Sequence, residues 1–195
     1  KTIHAALARM IPSLPGDPPK VIELPAIEFS PNEGEIFSTI PIIGGISFEG
    51  TGDGTNNTSI NASNTGRVFT CQDMQNTDVT IKNIEIRNGK ALDSNGGGIL
   101  LDNCSPTLEN VSITNNESEG KGGGLYLGNN SNPLLKGVEI TNNTSLDNGG
   151  GLYCDDSNPV IRALINANDD TTYSKISANK VQGYDETKNY HGGGI

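Results

Sequence analysis

A Gly-Gly-Gly triplet followed by a short apolar run recurs at Gly96, Gly122 and Gly149, and a fourth GGGI closes the chain at Gly192–Ile195. The starts lie 26, 27 and 43 residues apart. A unit of this length cannot bury an apolar face alone, so successive copies must stack, and stacking defines a solenoid. The first full copy reads GGGILLDNCSPTLENVSITNNESEGK and the second GGGLYLGNNSNPLLKGVEITNNTSLDN. Within each copy, short runs of β-forming residues are bounded by Asn, Gly, Ser and Pro, which predicts strands rather than helices.

A bending signal sits inside the second run of each copy. Asn83, Asn110 and Gly137 take the same place in TIKNIEI, TLENVSI and LLKGVEI. Asn and Gly are the residues that best accept left-handed backbone angles, so one such residue between two strands turns a corner. Counting from that corner produces columns. Val79, Pro106, Pro133 and Pro159 stand four before it; Ile81, Leu108, Leu135 and Ile161 two before; Ile84, Val111 and Val138 one after; Ile86, Ile113, Ile140 and Ile176 three after. Asn116, Asn143 and Asn179 stand six after and are expected to stack their amides as a ladder. Residues that recur once per coil in this way describe a parallel β-helix, with neighbouring coils about 4.8 Å apart.

These residues, together with RVFTC and DVTIKNIEIRNG upstream, resemble the right-handed parallel β-helix repeats of bacterial surface and secreted proteins. The chlamydial polymorphic outer-membrane proteins and the pectate-lyase-like repeat proteins are of this kind. The stretches KTIHAALARM, VIELPAIEFSPNEGE and IPIIGGISFEGTG are similar to the opening of that group. The resemblance implies a right-handed parallel β-helix in an extracellular or cell-surface protein. It implies little about activity, because lyases, hydrolases and adhesins share the architecture.

Read along the chain, Ile3, Ala6, Leu7 and Met10 share one helical face after Thr2 as N-cap, which predicts a capping helix ended by Pro12 and Pro15. Residues 1–20 are thus expected as cap and link, and 21–195 as about seven coils that continue in a longer protein. An earlier corner is expected at Gly45, with Ile46 and Phe48 inside and Pro41 in the proline column. Residues 49–66 read as a surface excursion in which only 58–61 is strand-like. Two insertions, 163–173 and 180–191, lengthen the third Gly-Gly-Gly unit and are expected as surface loops. Glu109 falls between Lys82 and Lys136 on neighbouring rungs, which predicts a charged ladder.

A net charge of −10 disfavours nucleic acid and anionic lipid as partners. No apolar stretch is long enough to insert as a membrane helix. The three cysteines do not make a framework, and Cys71, Cys104 and Cys154 are expected to be free, with Cys154 in the interior column of Leu101 and Leu127. Asn-x-Ser/Thr sequons start at Asn56, Asn57, Asn61, Asn103, Asn110, Asn116, Asn129, Asn142 and Asn143, a frequency that a repeat rich in Asn, Ser and Thr produces without selection for glycosylation.

For chemistry, Asp78, Asp155, Asp156 and His191 echo a polygalacturonase motif, but Asp78 and Asp155 are expected on coils about 14 Å apart, too far to share one glycosidic bond. No metal-ligand spacing or cofactor motif is present, so no cofactor, metal or catalytic residue is expected. The reading is a non-catalytic, rigid structural or adhesive scaffold that displays its loops. The alternative is a polysaccharide lyase, hydrolase or glycan-binding module. Asp169, Asp170, Tyr173, Tyr184 and Tyr190 in the inserted loops are the candidate binding residues, with glycans or a neighbouring cell surface as partner. End-to-end self-association at the last rung is a further expectation, because an open edge exposes unpaired backbone groups.

Overall fold

A computed structural model describes residues 3, 20–32, 37–52, 57–74, 78–165, 169–183 and 193–194. The chain winds as a parallel β-helix with three walls. The largest wall is a 10-stranded sheet folded along a corner. Before the corner run Lys20–Leu24, Ile46–Gly50, Leu134–Lys136 and Val160–Arg162; after it run Glu28–Phe29, Thr58–Asn61, Glu139–Thr141 and Lys175–Ser177. Thr80–Arg87 and Thr107–Thr114 pass through the corner without a break. The second wall stacks Ile40–Pro41, Phe69–Met74, Ile99–Cys104, Leu125–Gly128 and Leu152–Cys154. The third stacks Lys90–Ala91, Glu117–Ser118, Thr144–Ser145 and Lys180–Val181. Every pairing between walls of successive coils is parallel and in register, for example Ile86↔Ile113 and Ile113↔Ile140.

The registers follow the repeat. Ile81, Leu108 and Leu135 stack before the corner and Ile84, Val111 and Val138 after it, all at most 2% exposed. From the second wall, Phe69, Ile99, Leu101, Leu125 and Leu127 meet them in one core. Each such side chain contributes about 1.5–3 kcal/mol by leaving water. The Gly-Gly-Gly triplet makes the tight passage into the second wall. A methyl group at Gly123 would overlap the carbonyl oxygens of Thr144 and Gly150, so backbone fills the space where a side chain would stand.

The corner residues have left-handed angles, with φ +56° at Asn83, +51° at Asn110 and +57° at Gly137. Six residues on, a second asparagine column runs inside the wall. Asn116 and Asn143 are at most 1% exposed, and Asn116 Nδ2 donates to Asn143 Oδ1 at 2.9 Å while Asn143 Nδ2 donates to Asn179 Oδ1 at 3.0 Å. The other Nδ2 protons go to the carbonyls of Ile86, Ile113 and Ile140. These amides are buried yet satisfied, which is the condition for burying a polar group cheaply.

Four expectations are corrected. The solenoid has about 5 turns rather than seven, and Ile40–Pro41, Ile46–Gly50 and Thr58–Asn61 all belong to one coil. In that coil the corner is not at Gly45. Phe48 pairs with Ile81 and Glu49 with Lys82, so Gly50 occupies the rung below Asn83 and Thr58–Asn61 is the post-corner strand. Gly45 does have φ +73°, but it lies ahead of the strand, and Pro41 pairs with Thr70 in the second wall. Third, Cys71 and Cys104 are joined by a disulfide. Column counting puts one in a strand and the other in a turn, yet both side chains face inward at 1% exposure, with Cα atoms 6.1 Å apart. Cys154 is free, opposite Leu127. Fourth, Glu109 pairs with Lys136 at 3.4 Å but not with Lys82, which meets Glu49 at 2.9 Å.

The expected cap helix lies outside the described residues apart from Ile3, which is helical and buried in the core. Gly193 and Gly194 accept hydrogen bonds from Gly151 and Leu152 at 3.0 Å each, so these two residues stack on the third triplet as another rung.

Candidate functional site

The insertion at 163–173 is not a simple loop. Leu164–Ile165 and Thr171–Thr172 pair antiparallel as a small hairpin that stands on the corner. Its root explains why the third corner residue is glycine. A Cβ at Gly137 would lie 2.9 Å from Leu164 Cβ, and the position already needs a left-handed angle. The corner asparagine column therefore stops at Asn110, where the hairpin begins.

Between this hairpin and the residues Gly52 and Asn57 lies a groove of about 550 Å³. That is within the roughly 300–1,000 Å³ typical of ligand pockets. Its floor is the outer side of the corner: Asn83 and Asn110, then the outward column Glu85, Ser112, Glu139. Thr172, Tyr173 and Lys175 close the hairpin side. Ile84 and Val111 border it only through backbone, since their side chains are 2% and 1% exposed and belong to the core. Asn110 Nδ2 donates to Asn83 Oδ1 at 2.9 Å, which leaves most of the hydrogen-bonding capacity of both amides facing solvent.

The charges at the groove are compensated. Lys175 Nζ lies 3.0 Å from Glu139, and Arg87 Nε lies 3.6 Å from Glu85. Arg87 also grips Glu28, whose carboxyl this hydrogen bond, helped by Asn61, holds below the usual carboxylate range. Glu85 and Glu139 are separated by Ser112 in the same column, hence by two rungs or about 9.6 Å. They rise from one wall, side by side, rather than from opposite sides of the groove.

Of the candidate binding residues, Tyr173 lines the groove with its ring 76% exposed. Asp169 and Asp170 are exposed at the hairpin turn, where Asp169 has φ +60°, and neither lines the groove. Tyr184, Tyr190 and His191 lie outside the described residues. Asn57, Ser112, Glu139 and Lys175, which are not among those candidates, also line the groove. The last three stand in one outward column two residues past the corner, but only the hairpin's placement makes that column one side of a groove.

A second polar cluster sits on the outer face of the second wall. The rings of Tyr126 and Tyr153 stack with centroids 6.0 Å apart, and Lys121 Nζ donates to Tyr153 Oη at 3.0 Å. Tyr126 Oη donates to Asp155 Oδ2 at 3.2 Å. Burial, then the Asp155 carboxylate, pushes the Tyr126 phenol up to about 12. Asp155 and Asp102 stand two rungs apart with Gly128 between them. Asp78 lies three rungs from the turn holding Asp155 and Asp156. Among the described residues no group of three His, Cys, Asp or Glu side chains is placed to hold a metal ion, and no helix is long and apolar enough to cross a membrane.

Parallel coils, in-register apolar columns and an internal amide ladder define a β-solenoid. The family model for the right-handed β-helix region matches residues 43–190, and the chain belongs to that family. No curated protein and no solved structure matches it.

Proposed function

We propose that this chain is a non-catalytic, extracellular or cell-surface β-helix module: a rigid scaffold that carries the corner hairpin and its groove as a display surface. The observation that carries the reading is the commitment of polar side chains to neighbouring rungs. The interior amides are spent on one another, and Lys82–Glu49, Lys136–Glu109, Lys175–Glu139 and Lys90–Glu117 all link successive coils. Single surface pairs contribute little, about 0–1 kcal/mol each, but they hold register. Glu85 and Glu139 share a wall and each meets a cation, an arrangement that does not place an acid and a base across one bond. The buried Cys71–Cys104 disulfide supports an oxidising compartment, since such bridges persist outside the cytosol.

The test is incubation with uronate and neutral polysaccharides, coupled to localisation of the protein in its source cells. The expected result is no chain cleavage and a protein found outside the cytosol with its disulfide formed. Turnover that is lost on Glu139→Gln or Asp155→Asn would overturn the reading. A glycan-binding module is the second reading, favoured by the exposed Tyr173 ring at the groove.

A further inference from the structure

We propose that the corner groove is a binding site for a linear, uncharged, hydroxyl-rich glycan, lying along the solenoid axis beneath the hairpin. The proposal builds on the scaffold reading, adding a ligand class to its display surface. Five features select that class over others.

The floor offers amides and hydroxyls in a row. Asn83 and Asn110 stand one rung apart, about 4.8 Å, Ser112 lies two residues past Asn110 on the same coil, and Asn57 and Thr172 add to them from either side. Carboxamides and hydroxyls both donate and accept, which is what sugar hydroxyls require. Tyr173 supplies an exposed aromatic ring against which the apolar face of a sugar can pack.

An anionic polymer is disfavoured. Lys175, the cation lining the groove, is held by Glu139 at 3.0 Å, and the net charge of −10 opposes approach of a polyanion. An apolar ligand is disfavoured because Ile84 and Val111 turn their side chains into the core. On the floor of the groove an extended peptide finds no strand edge to join. Ser112 on the floor is paired on both sides, with Glu85 below and Glu139 above, so the backbone there is already committed.

Two substitutions separate binding from folding. Asn110→Gly removes the amide while keeping a residue that accepts the left-handed angle, as Gly137 does one rung above. Tyr173→Ala removes a ring that is 76% exposed. The experiment is titration calorimetry with short gluco-, xylo- and manno-oligosaccharides and with oligogalacturonate as the charged comparator, backed by thermal melts of each variant. Saturable binding of at least one neutral series is expected, weakened about tenfold or more by each substitution, with melting lowered by no more than about 4 °C. Absence of saturable binding to every neutral series overturns the proposal, as does tighter binding of oligogalacturonate or unchanged affinity in both variants. Those failures would leave the scaffold reading intact, whereas glycan cleavage would refute the scaffold reading without removing the site.

Discussion

Asn116 and Asn143 hold each other twice: Asn143 Oδ1 accepts from both the backbone N–H and the Nδ2 of Asn116, each at 2.9 Å. The same pattern joins Asn143 to Asn179. A single amide oxygen thus satisfies both the backbone and the side chain of the residue one coil below. Asn143→Ala is expected to strand two donors on Asn116 and the carbonyl of Ile113, at a cost of about 2–4 kcal/mol. Urea denaturation measures this, and a loss below about 0.5 kcal/mol would mean the ladder is ornamental.

The corner makes a sharper distinction between two substitutions at one site. Asn110 has φ +51°, so Asn110→Val is expected to cost roughly 1–2 kcal/mol. Asn110→Gly relieves the angle and is expected to cost less than about 1 kcal/mol. Equal losses for both would place the energy in the Asn110–Asn83 amide contact instead.

The disulfide predicts a thiol count and a stability change. Unfolded without reductant, the chain is expected to expose one reactive thiol, that of Cys154. With a sequence separation of 33, replacing both Cys71 and Cys104 by serine is expected to cost roughly 3–4 kcal/mol. Alkylation with mass spectrometry and denaturant melts check the two parts separately.

Tyr126 predicts an alkaline transition. Its phenol is held neutral up to about 12 by burial and by Asp155, while an unfolded tyrosine ionises near pH 10. The folded state therefore binds its proton more tightly. The contribution is complete below about pH 10, and it is lost as pH rises through about 12. Phenolate absorbance should show Tyr126 titrating late in the native protein, and Asp155→Asn should bring its titration closer to the others. An unshifted titration after that substitution would assign the effect to burial alone.

What the amino-acid sequence determined by itself was everything that repeats. Ile86, Ile113 and Ile140 are in register because each coil must bury the same face against the next, so an apolar column shows as a period. The left-handed residues were legible at Asn83 and Gly137 because few residue types tolerate those angles. Tertiary structure decided what does not repeat. Gly50 rather than Gly45 stands below Asn83, because Phe48 and Glu49 pair with Ile81 and Lys82 while the strand after the corner, paired with Ile84–Arg87, begins only at Thr58. Cys71 and Cys104 meet because the left-handed Asn103, φ +54°, breaks the in-out alternation and turns Cys104 inward at the end of its strand, and a separation of 33 gives no hint of that against a period of 26 or 27. The groove exists only because an inserted hairpin folds back over Gly137, bringing Tyr173 beside Asn110 and Ser112. Periodicity encodes contacts between equivalent residues one coil apart; contacts made by an insertion join residues with no shared place in the repeat, and only the folded chain sets them side by side.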